Sequence, residues 1–256
     1  MDNKIIPAAT LILLRDTGGP APELLMVERG QHLAFAGGAM VFPGGRIEED
    51  DAAIASDRTI LHDGPAVEPD DMVARIAAIR ETIEEVGIAP AVDGLTEPAM
   101  TRELRSALAA GRSFHELIRA MKLRLDPHRL HPFARWLPKH RIQRTFDTRF
   151  YIAQAPDDAD AVADGTESSS CHWDTAAGHL ALADAGTRSL IFPTRRNLER
   201  IGLSTSFDDA VAFSRRYAIE TITPWREYQE DEQKLCIPDH LGYPVTSQTF
   251  ARVRRE

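Results

Sequence analysis

The stretch Arg80-Glu81-Thr82-Ile83-Glu84-Glu85-Val86-Gly87-Ile88 places three carboxylates on one short segment with a helical pattern. Glu81 lies three residues before Glu84 and four before Glu85, so the three side chains project from neighbouring turns of one helix face. Carboxylates held this closely repel one another, and a cation relieves the repulsion. Hard divalent ions accept an all-oxygen environment and keep coordination sites for water and phosphate. The segment therefore predicts half of a metal-assisted site that cleaves phosphate compounds.

The other half of this predicted site lies upstream, in Val41-Phe42-Pro43-Gly44-Gly45-Arg46. A short apolar run that ends in Pro-Gly-Gly predicts a strand leading into a tight turn with accessible backbone. No side chain blocks Gly44 or Gly45, so we expect their backbone groups to approach the acidic helix and to contact the metal ion or a phosphate. Glu48 or Glu49, just after the turn, is a candidate for a further ligand.

The two segments together resemble the signature of Nudix hydrolases, G-x5-E-x7-R-E-U-x-E-E-x-G-U, where U is aliphatic. Gly45 matches the opening glycine, and residues 80–88 match the second half at every specified position. The resemblance implies an α/β fold: a Nudix-type α/β/α sandwich with a mixed sheet, carrying a helical insertion and C-terminal helices. It also implies hydrolysis of a pyrophosphate that is linked to another moiety, with Mg²⁺ or Mn²⁺ as the cofactor.

The resemblance also assigns roles to residues of the signature. Arg80 is four residues before Glu84, and we expect it to pair with a carboxylate of the signature and fix its rotamer. The metal ligands implied are Glu81, Glu84, Glu85 and the backbone of Gly45.

A general base is also required, and the resemblance implies that it comes either from the signature or from a distant loop, for which we consider Glu167. Glu167 lies in the polar turn Asp164-Gly165-Thr166-Glu167-Ser168, after a predicted strand. The alternative interpretation of Glu167 is an ordinary solvated loop acid.

The chain departs from the signature at two points. Asp51 stands where the pattern has glutamate, and 28 residues separate Asp51 from Arg80 where the pattern allows seven. About twenty residues are therefore inserted, and we predict a loop insertion at about 52–69, on the evidence of the Gly and Pro residues between Asp57 and Pro69. Pro69 and Asp70 then predict the start of the acidic helix. The role of Asp51 is left open by the insertion.

A signature split in this way resembles the branch related to peroxisomal coenzyme A diphosphatases. The resemblance rests on residues 24–29, 34–45, 144–151 and 193–198, and it covers most of residues 5–220. Arg29 and Gly38 fit the coenzyme A pattern, whereas Ala34 stands where an arginine is expected. Coenzyme A is one implied substrate.

The chain as a whole predicts one Nudix domain over residues 1–256, with a helical insertion at about 97–126. We predict that this insertion forms two helical pieces, broken near Gly111 and capped by Ser113. The other predicted elements are strands at 8–15, 24–29, 131–137 and 146–154, a strand or loop at 167–173, and helices at 70–86, 175–185, 195–201 and 207–217. We make no secondary-structure prediction after Thr223.

Composition and charge limit which binding partners and which cellular location we expect for the protein. A net charge of −9 argues against a nucleic-acid partner, and no apolar run is long enough to cross a membrane. Cys171 and Cys236 are too few for a disulfide framework or a zinc site. Residues 1–7 lack a signal-peptide pattern and residues 252–256 are not a peroxisomal address, so we expect a cytoplasmic protein. The expected partner is a small nucleotide or coenzyme A substrate, and a homodimer is consistent with the family.

Several other residues have both a functional and an ordinary interpretation. Arg195-Arg196 could clamp a phosphate, or could be a charged helix surface. Trp136 and Trp173 could stack on adenine, or could belong to the core. Lys139-His140-Arg141 could meet the 3′-phosphate of coenzyme A, or could be an exposed basic turn. The spacing of the neighbouring histidines, His128, His131 and His140, fits no metal-binding set.

Three functions remain open from the sequence. The first is a metal-dependent pyrophosphohydrolase for coenzyme A or its thioesters. The second has the same chemistry on ADP-ribose or a dinucleotide. The third is a regulatory Nudix module that binds a nucleotide without catalysis, although the complete carboxylate set favours an enzyme.

Overall fold

The central strand of the protein, β1 (Ile5–Arg15), is apolar on both faces. Ala9, Leu11 and Leu13 point to one side of the sheet, and Ile12 and Leu14 point to the other. A strand that buries both faces needs a layer of structure on each side. The sequence of β1 alone therefore favours helices on both faces of the sheet.

The computed structural model describes residues 4–32, 36–138, 145–157, 159–229 and 232–250. In chain order the strands are β1 Ile5–Arg15, β2 Glu23–Arg29, β3 Ala39–Val41, β4 Gly44–Arg46, β5 Val92–Asp93, β6 Arg124–Leu125, β7 His131–Trp136, β8 Thr145–Gln154, β9 Ser168–Thr175, β10 Ser189–Leu190, β11 Thr221–Ile222, β12 Trp225–Gln229, β13 Glu232–Cys236 and β14 Ser247–Thr249. The helices are α1 Glu49–Ser56, α2 Pro69–Val86, α3 Pro98–Ala109, α4 Phe114–Ala120, α5 Ala176–Asp184, α6 Phe192–Ile201 and α7 Phe207–Ser214, with a 3₁₀ turn at Pro127–Arg129.

The main sheet is mixed, with the strand order β10-β3-β2-β1-β8-β7-β11. β1 pairs in parallel with β8 along its length, from Ile5 opposite Thr145 to Leu14 opposite Gln154. It pairs antiparallel with β2 at its C-terminal end and with the short β4 nearer its start. β9 also pairs antiparallel with β2. These pairings place the Pro-Gly-Gly turn against the middle of the sheet.

Two apolar cores lie on opposite faces of this sheet. The first joins β1 to α1, α2, α3 and α4, and it contains Ile79 and Leu117. The second joins the other face to α5, α6 and α7, and it contains Trp136 and Leu198. The prediction of an α/β/α sandwich with a mixed sheet is therefore confirmed.

Helix α2 begins and ends at the predicted residues. Pro69 occupies its first turn, where the missing N–H is not needed. Gly87 ends the helix in the left-handed conformation, with φ of 70°, which glycine adopts without steric cost. One face of α2 is buried against the sheet. The acidic residues in the C-terminal half of α2 therefore lie next to β4.

The insertion within the signature differs in part from its prediction. Residues 57–68 contain no helix or strand, as predicted, but 52–56 belong to α1. A capping box starts this helix, because the Glu48 side chain accepts from the backbone of Asp51 and the Asp51 side chain accepts from the backbone of Glu48. Ile54 anchors the helix in the first core. A loop prediction for 52–56 was therefore wrong.

The region at about 97–126 is helical and broken as predicted. α3 ends before Gly111, and Ser113 caps α4 by accepting a hydrogen bond from the backbone of Glu116. Both helices bury apolar residues in the first core. That this region is an insertion into a single domain stays a prediction.

The later elements follow their predictions with small differences in their bounds. α6 starts at Phe192 rather than at 195, because Pro193 fits into a first helical turn. The segment 167–173 is largely strand, as part of β9. The unpredicted C-terminal part forms a small sheet in the order β12-β13-β14. No helix of the described chain has the length and apolar character of a membrane span.

Candidate active site

The two halves of the signature meet where α2 passes β4. The backbone N–H of Gly44 donates to the Glu85 carboxylate over 3.2 Å. A Cβ atom on Gly45 would lie 2.5 Å from the carboxyl atoms of Glu81, so only glycine allows this approach without displacing that side chain. The structure thus brings Gly44, Gly45, Glu81 and Glu85 together around one turn of backbone.

Arg80 links the acids of α2 to Asp51 and to the turn before α1. Its guanidinium donates to both oxygens of Asp51, at 2.9 and 3.0 Å, and to the backbone carbonyl of Arg46 at 2.9 Å. The same group donates to Glu81 at 2.9 Å and to Glu84 at 3.3 Å. Side-chain exposure is 4% for Arg80 and 0% for Asp51. Asp51, whose role the sequence left open, is therefore the buried partner that orients Arg80.

The carboxylates of α2 carry more negative charge than Arg80 can balance. Burial raises the pKa of Glu81 to about 7, against the attraction of Arg80. Burial also raises the pKa of Glu84. For Glu85, burial and then the charge of Glu81 raise the pKa well above its usual range. Desolvated carboxylates with raised pKa values are stabilised in their charged form by a nearby cation.

The donor set fits a hard divalent cation. Carboxylate oxygens and backbone carbonyls are the ligands that Mg²⁺ and Mn²⁺ prefer. Within the described residues no three Asp, Glu, His or Cys side chains are already placed as a metal-binding group, and Glu81 and Glu84 instead bond to Arg80. The residues that would hold the ion are Glu81, Glu84 and Glu85, with the backbone at Gly45.

A cavity of about 460 Å³ opens beside these acids. Glu48, Glu81 and Glu84 line it together with Arg29 and Arg46. The site therefore combines acids that suit a cation with cations that suit phosphate oxygens.

Glu167 lies on the wall of the same cavity. Its backbone carbonyl accepts a hydrogen bond from Gly30 at 2.8 Å, which ties its loop to the end of β2. The side chain of Asp164 accepts from the backbone N–H groups of Glu167 and Ser168, which fixes the turn. The charge of Glu167 contributes to the raised pKa of Glu85. The structure places Glu167 near the acids, and its role as a base stays a prediction.

Comparison with solved structures shows a likeness to Nudix hydrolases. A Nudix hydrolase from Alicyclobacillus acidocaldarius superposes with a TM-score of 0.73 at 27% sequence identity, over 82% of this chain and 96% of that one. The chain has the fold of a Nudix hydrolase. With the signature on β4 and α2, this likeness supports a Nudix pyrophosphohydrolase.

More distant likenesses are to two further proteins. A MutT protein from Methanosarcina mazei Go1 has a TM-score of 0.44 at 13% identity, over 78% of this chain and 95% of that one. A MutT Nudix hydrolase from Burkholderia pseudomallei has a TM-score of 0.42 at 15% identity, over 77% and 97%. No family model matches the chain.

Two arginines for which the sequence suggested a phosphate clamp do not line the cavity beside α2. Arg195 pairs with Asp184 at 3.0 Å, and Arg196 pairs with Glu199 at 2.7 Å. Both arginines are at most 3% exposed, so the interpretation as a charged helix surface was wrong. The physical reason is that α6 packs between the sheet and the C-terminal segment, where Gln248 also accepts from Arg196.

The two tryptophans and the basic turn were candidates for contacts with the substrate, and they lie in different places. Trp136 is 1% exposed and belongs to the second core, and it also lines the cavity. Trp173 lies under the guanidinium of Arg15 at 4.2 Å, and it does not line the cavity. Lys139-His140-Arg141 lies outside the described residues.

Several residues that line the cavity were not predicted from the sequence. Arg46 has no role in the predicted site, yet it lines the cavity. Its position directly after Gly44-Gly45 was the available signal. Phe146, Phe150 and Thr194 also line the cavity, and only the strand and helix packing brings them there.

We expect that Glu81→Gln leaves the melting temperature in EDTA unchanged or raises it. Glutamine still accepts the hydrogen bond from Arg80, while one desolvated charge beside Glu84 and Glu85 is removed. Thermal unfolding in EDTA measures this, with the exposed Glu103→Gln on α3 as the matched control. Added Mg²⁺ should raise the melting temperature of the wild type more than that of the variant. A clear loss in EDTA would show that Glu81 instead supports the core.

Proposed function

We propose that the protein catalyses the divalent-metal-dependent hydrolysis of a pyrophosphate bond in a nucleoside diphosphate-linked substrate, with coenzyme A or an acyl-CoA as the first candidate. One observation supports this most directly. Two acids of α2, Glu81 and Glu84, and two arginines, Arg29 and Arg46, line the same cavity as Gly44 and Gly45. Such a cavity suits a substrate whose negative charge is concentrated in a diphosphate.

The cations of the cavity would bind the phosphate oxygens. Arg29 and Arg46 make no hydrogen bond or ion pair through their side chains with another described residue, which leaves their donors available to a ligand. A guanidinium recognises two phosphate oxygens at once. The diphosphate would then lie between these arginines and the face of Glu81 and Glu84.

The acids of α2 would hold Mg²⁺ or Mn²⁺. When bound, such an ion neutralises phosphate charge and lowers the pKa of a coordinated water. Arg80, fixed by Asp51, keeps Glu81 and Glu84 in position before any ion arrives. The backbone N–H of Gly44 donates to Glu85 and keeps that carboxylate in position.

Glu167 is the candidate acceptor of the proton from the attacking water. It lies on the cavity wall, on a loop fastened to β2 and held by Asp164. Hydrolysis adds the oxygen of water to one phosphorus and breaks the bridging P–O bond, so two phosphate monoesters leave. From coenzyme A these would be 4′-phosphopantetheine and adenosine 3′,5′-bisphosphate, and from an acyl-CoA the acyl form of the first.

Coenzyme A ranks first because Arg29 and Gly38 fit the pattern of that branch and the signature is split as it is there. ADP-ribose or a dinucleotide remains the alternative with the same chemistry, since Ala34 departs from the pattern. A regulatory module without catalysis is the alternative of another class. The location proposed is the cytoplasm, where the two free cysteines would stay reduced.

Incubation with coenzyme A, ADP-ribose and NADH, each with Mg²⁺ or Mn²⁺, tests the proposal. We expect turnover of at least one compound, with products identified by mass spectrometry, and complete loss in EDTA that added metal ion reverses. Water labelled with ¹⁸O would show which phosphorus is attacked. Turnover of ADP-ribose but not coenzyme A would select the first alternative. Tight binding without turnover of any compound would select the regulatory module.

A further inference from the structure

One side chain of α3 contacts the backbone of two acids in the Nudix helix. The Nε atom of Arg105 donates to the carbonyl of Glu84 at 3.0 Å, and its Nη2 atom donates to the carbonyl of Glu85 at 2.9 Å. Both carbonyls lie in the last turn of α2, where carbonyl groups have no partner within their own helix. Arg105 therefore completes the hydrogen bonding of α2 at two residues whose carboxylates belong to the proposed metal site.

Backbone groups bond the two other carbonyls of this last turn. The Ile83 carbonyl accepts from the N–H of Gly87, and the Val86 carbonyl accepts from the N–H of Val162, both at 3.0 Å. Among the described residues, only Arg105 donates to the two carbonyls between them. If Arg105 were removed, water would have to take its place.

The glycine that ends α2 leaves the space that Arg105 occupies. A Cβ atom on Gly87 would lie 3.0 Å from the Nη1 atom of Arg105. Contacts this short are tighter than most side-chain contacts, so a larger residue at position 87 would displace the guanidinium. Gly87 thus ends the helix and also admits the group that bonds its last turn.

The position of Arg105 is set by the packing of α3. Leu104, directly before it, is fully buried, and Leu108, three residues after it, is 7% exposed. Both leucines belong to the first core, which also contains the buried face of α2. The backbone of Arg105 is therefore anchored on the same core as the helix that it contacts.

We infer that Arg105 is a positioning residue for the metal site, which holds the carboxylates of Glu84 and Glu85 at the separation that a divalent ion requires. The inference rests on the proposed function, since it assigns the ion to the acids of α2. A shift of the last turn moves both carboxylates, and metal affinity depends on the groups that hold the ligands. The guanidinium charge also lies at the negative end of the helix dipole, where a cation is stabilising.

Arg80 and Arg105 act on different atoms of α2. Arg80 donates to the side chains of Glu81 and Glu84, so it sets the direction of their carboxylates. Arg105 donates to backbone carbonyls, so it sets the position of the turn that carries them. The loss of Arg105 leaves the contacts of Arg80 in place, and the two roles can be tested separately.

Binding of Mn²⁺ to the full chain without substrate, measured by electron paramagnetic resonance, tests this role without requiring turnover. Arg105→Met keeps a long apolar side chain and removes both donors, and it should raise the Kd for Mn²⁺ by about five- to tenfold. Arg105→Lys keeps the charge but lacks the planar fork that reaches two carbonyls. Its Kd should lie between those of the wild type and Arg105→Met.

Control variants separate positioning from a general loss of stability. Leu108→Ala removes a buried side chain of α3 and should lower the melting temperature without changing the Kd for Mn²⁺. Arg102→Met removes an exposed charge from the same helix and should change neither quantity. An unchanged Kd in Arg105→Met would overturn the inference, and so would an equal rise of the Kd in Leu108→Ala. If Arg105→Met does not fold, a Kd of Arg105→Lys equal to that of the wild type overturns it.

The outcome is distinguishable from that of the proposed function. If Mn²⁺ affinity depends on Arg105 but no diphosphate is hydrolysed, the positioning role stands and the hydrolase proposal fails. If a diphosphate is hydrolysed while Arg105→Met binds Mn²⁺ as the wild type does, the hydrolase stands and the positioning role fails. Mn²⁺ binding that Glu85→Gln leaves unchanged would overturn the proposed metal site and this role together.

Discussion

We expect Glu85→Gln to lower turnover of the proposed diphosphate substrate by at least about a hundredfold, and Glu84→Gln to do the same, with the fold intact in both variants. Each substitution removes a charge that the metal ion and the transition state require. Glutamine at position 85 still accepts the hydrogen bond from the Gly44 N–H, so the contact between α2 and β4 is kept. Glu84 is 34% exposed at its side chain and tolerates an amide without strain.

The measurement is the initial rate at saturating Mg²⁺ on the compound that the substrate panel identifies, with circular dichroism as the check on folding. Glu103→Gln, an exposed acid on α3, is the matched control and should retain the activity of the wild type. If both the Glu84 and Glu85 variants keep full activity, the metal site must lie elsewhere in the protein.

Arg80→Met lowers the free energy of unfolding by about 3–5 kcal/mol, because it leaves the fully buried Asp51 carboxylate without its bidentate partner. The loss corresponds to a fall in melting temperature of roughly 6–20 °C for a chain of this size. Methionine fills a similar volume, so the change is mainly electrostatic. Activity should fall as well, since Glu81 and Glu84 lose the group that orients them.

A double-mutant cycle separates the ion pair from packing. Arg80→Met with Asp51→Asn should regain part of the lost stability, because no unpaired buried charge then remains. Arg102→Met, on the exposed face of α3, should leave the melting temperature almost unchanged. Chemical denaturation in EDTA gives the free energies without a metal contribution. A double variant no more stable than Arg80→Met alone would mean that the Arg80–Asp51 pair is not what stabilises this region.

The function proposed here separates into two parts with different physical demands. The proposed diphosphate end needs charge, and Arg29, Arg46, Glu81 and Glu84 line one cavity there. The far end of the cavity is lined by aromatic residues, and Trp136 there contacts Asn197 and Phe192. Under the proposed function, variants at the charged end should lower turnover.

The sequence by itself determined the features that depend on neighbours along the chain. The period of the apolar residues, Pro69 at the start and Gly87 at the end set the position of α2 and the face of its acids. The apolar residues on both sides of β1 required two layers of helices. The residues of the signature could also be found from sequence, because they lie on two short segments of the chain, at Gly45 and at residues 80–88.

The tertiary structure alone decided the contacts between residues far apart in sequence. Asp51 meets Arg80 across 29 positions, although the insertion between them hides the pairing. Arg195 and Arg196 are buried because α6 is covered, which their charge alone does not predict. Arg46 and Trp136 line one cavity through the registers of β4, β1, β8 and β7. Register and burial depend on the packing of the whole chain, so the acidic face of α2 could be predicted from sequence and the residues that meet across the sheet could not.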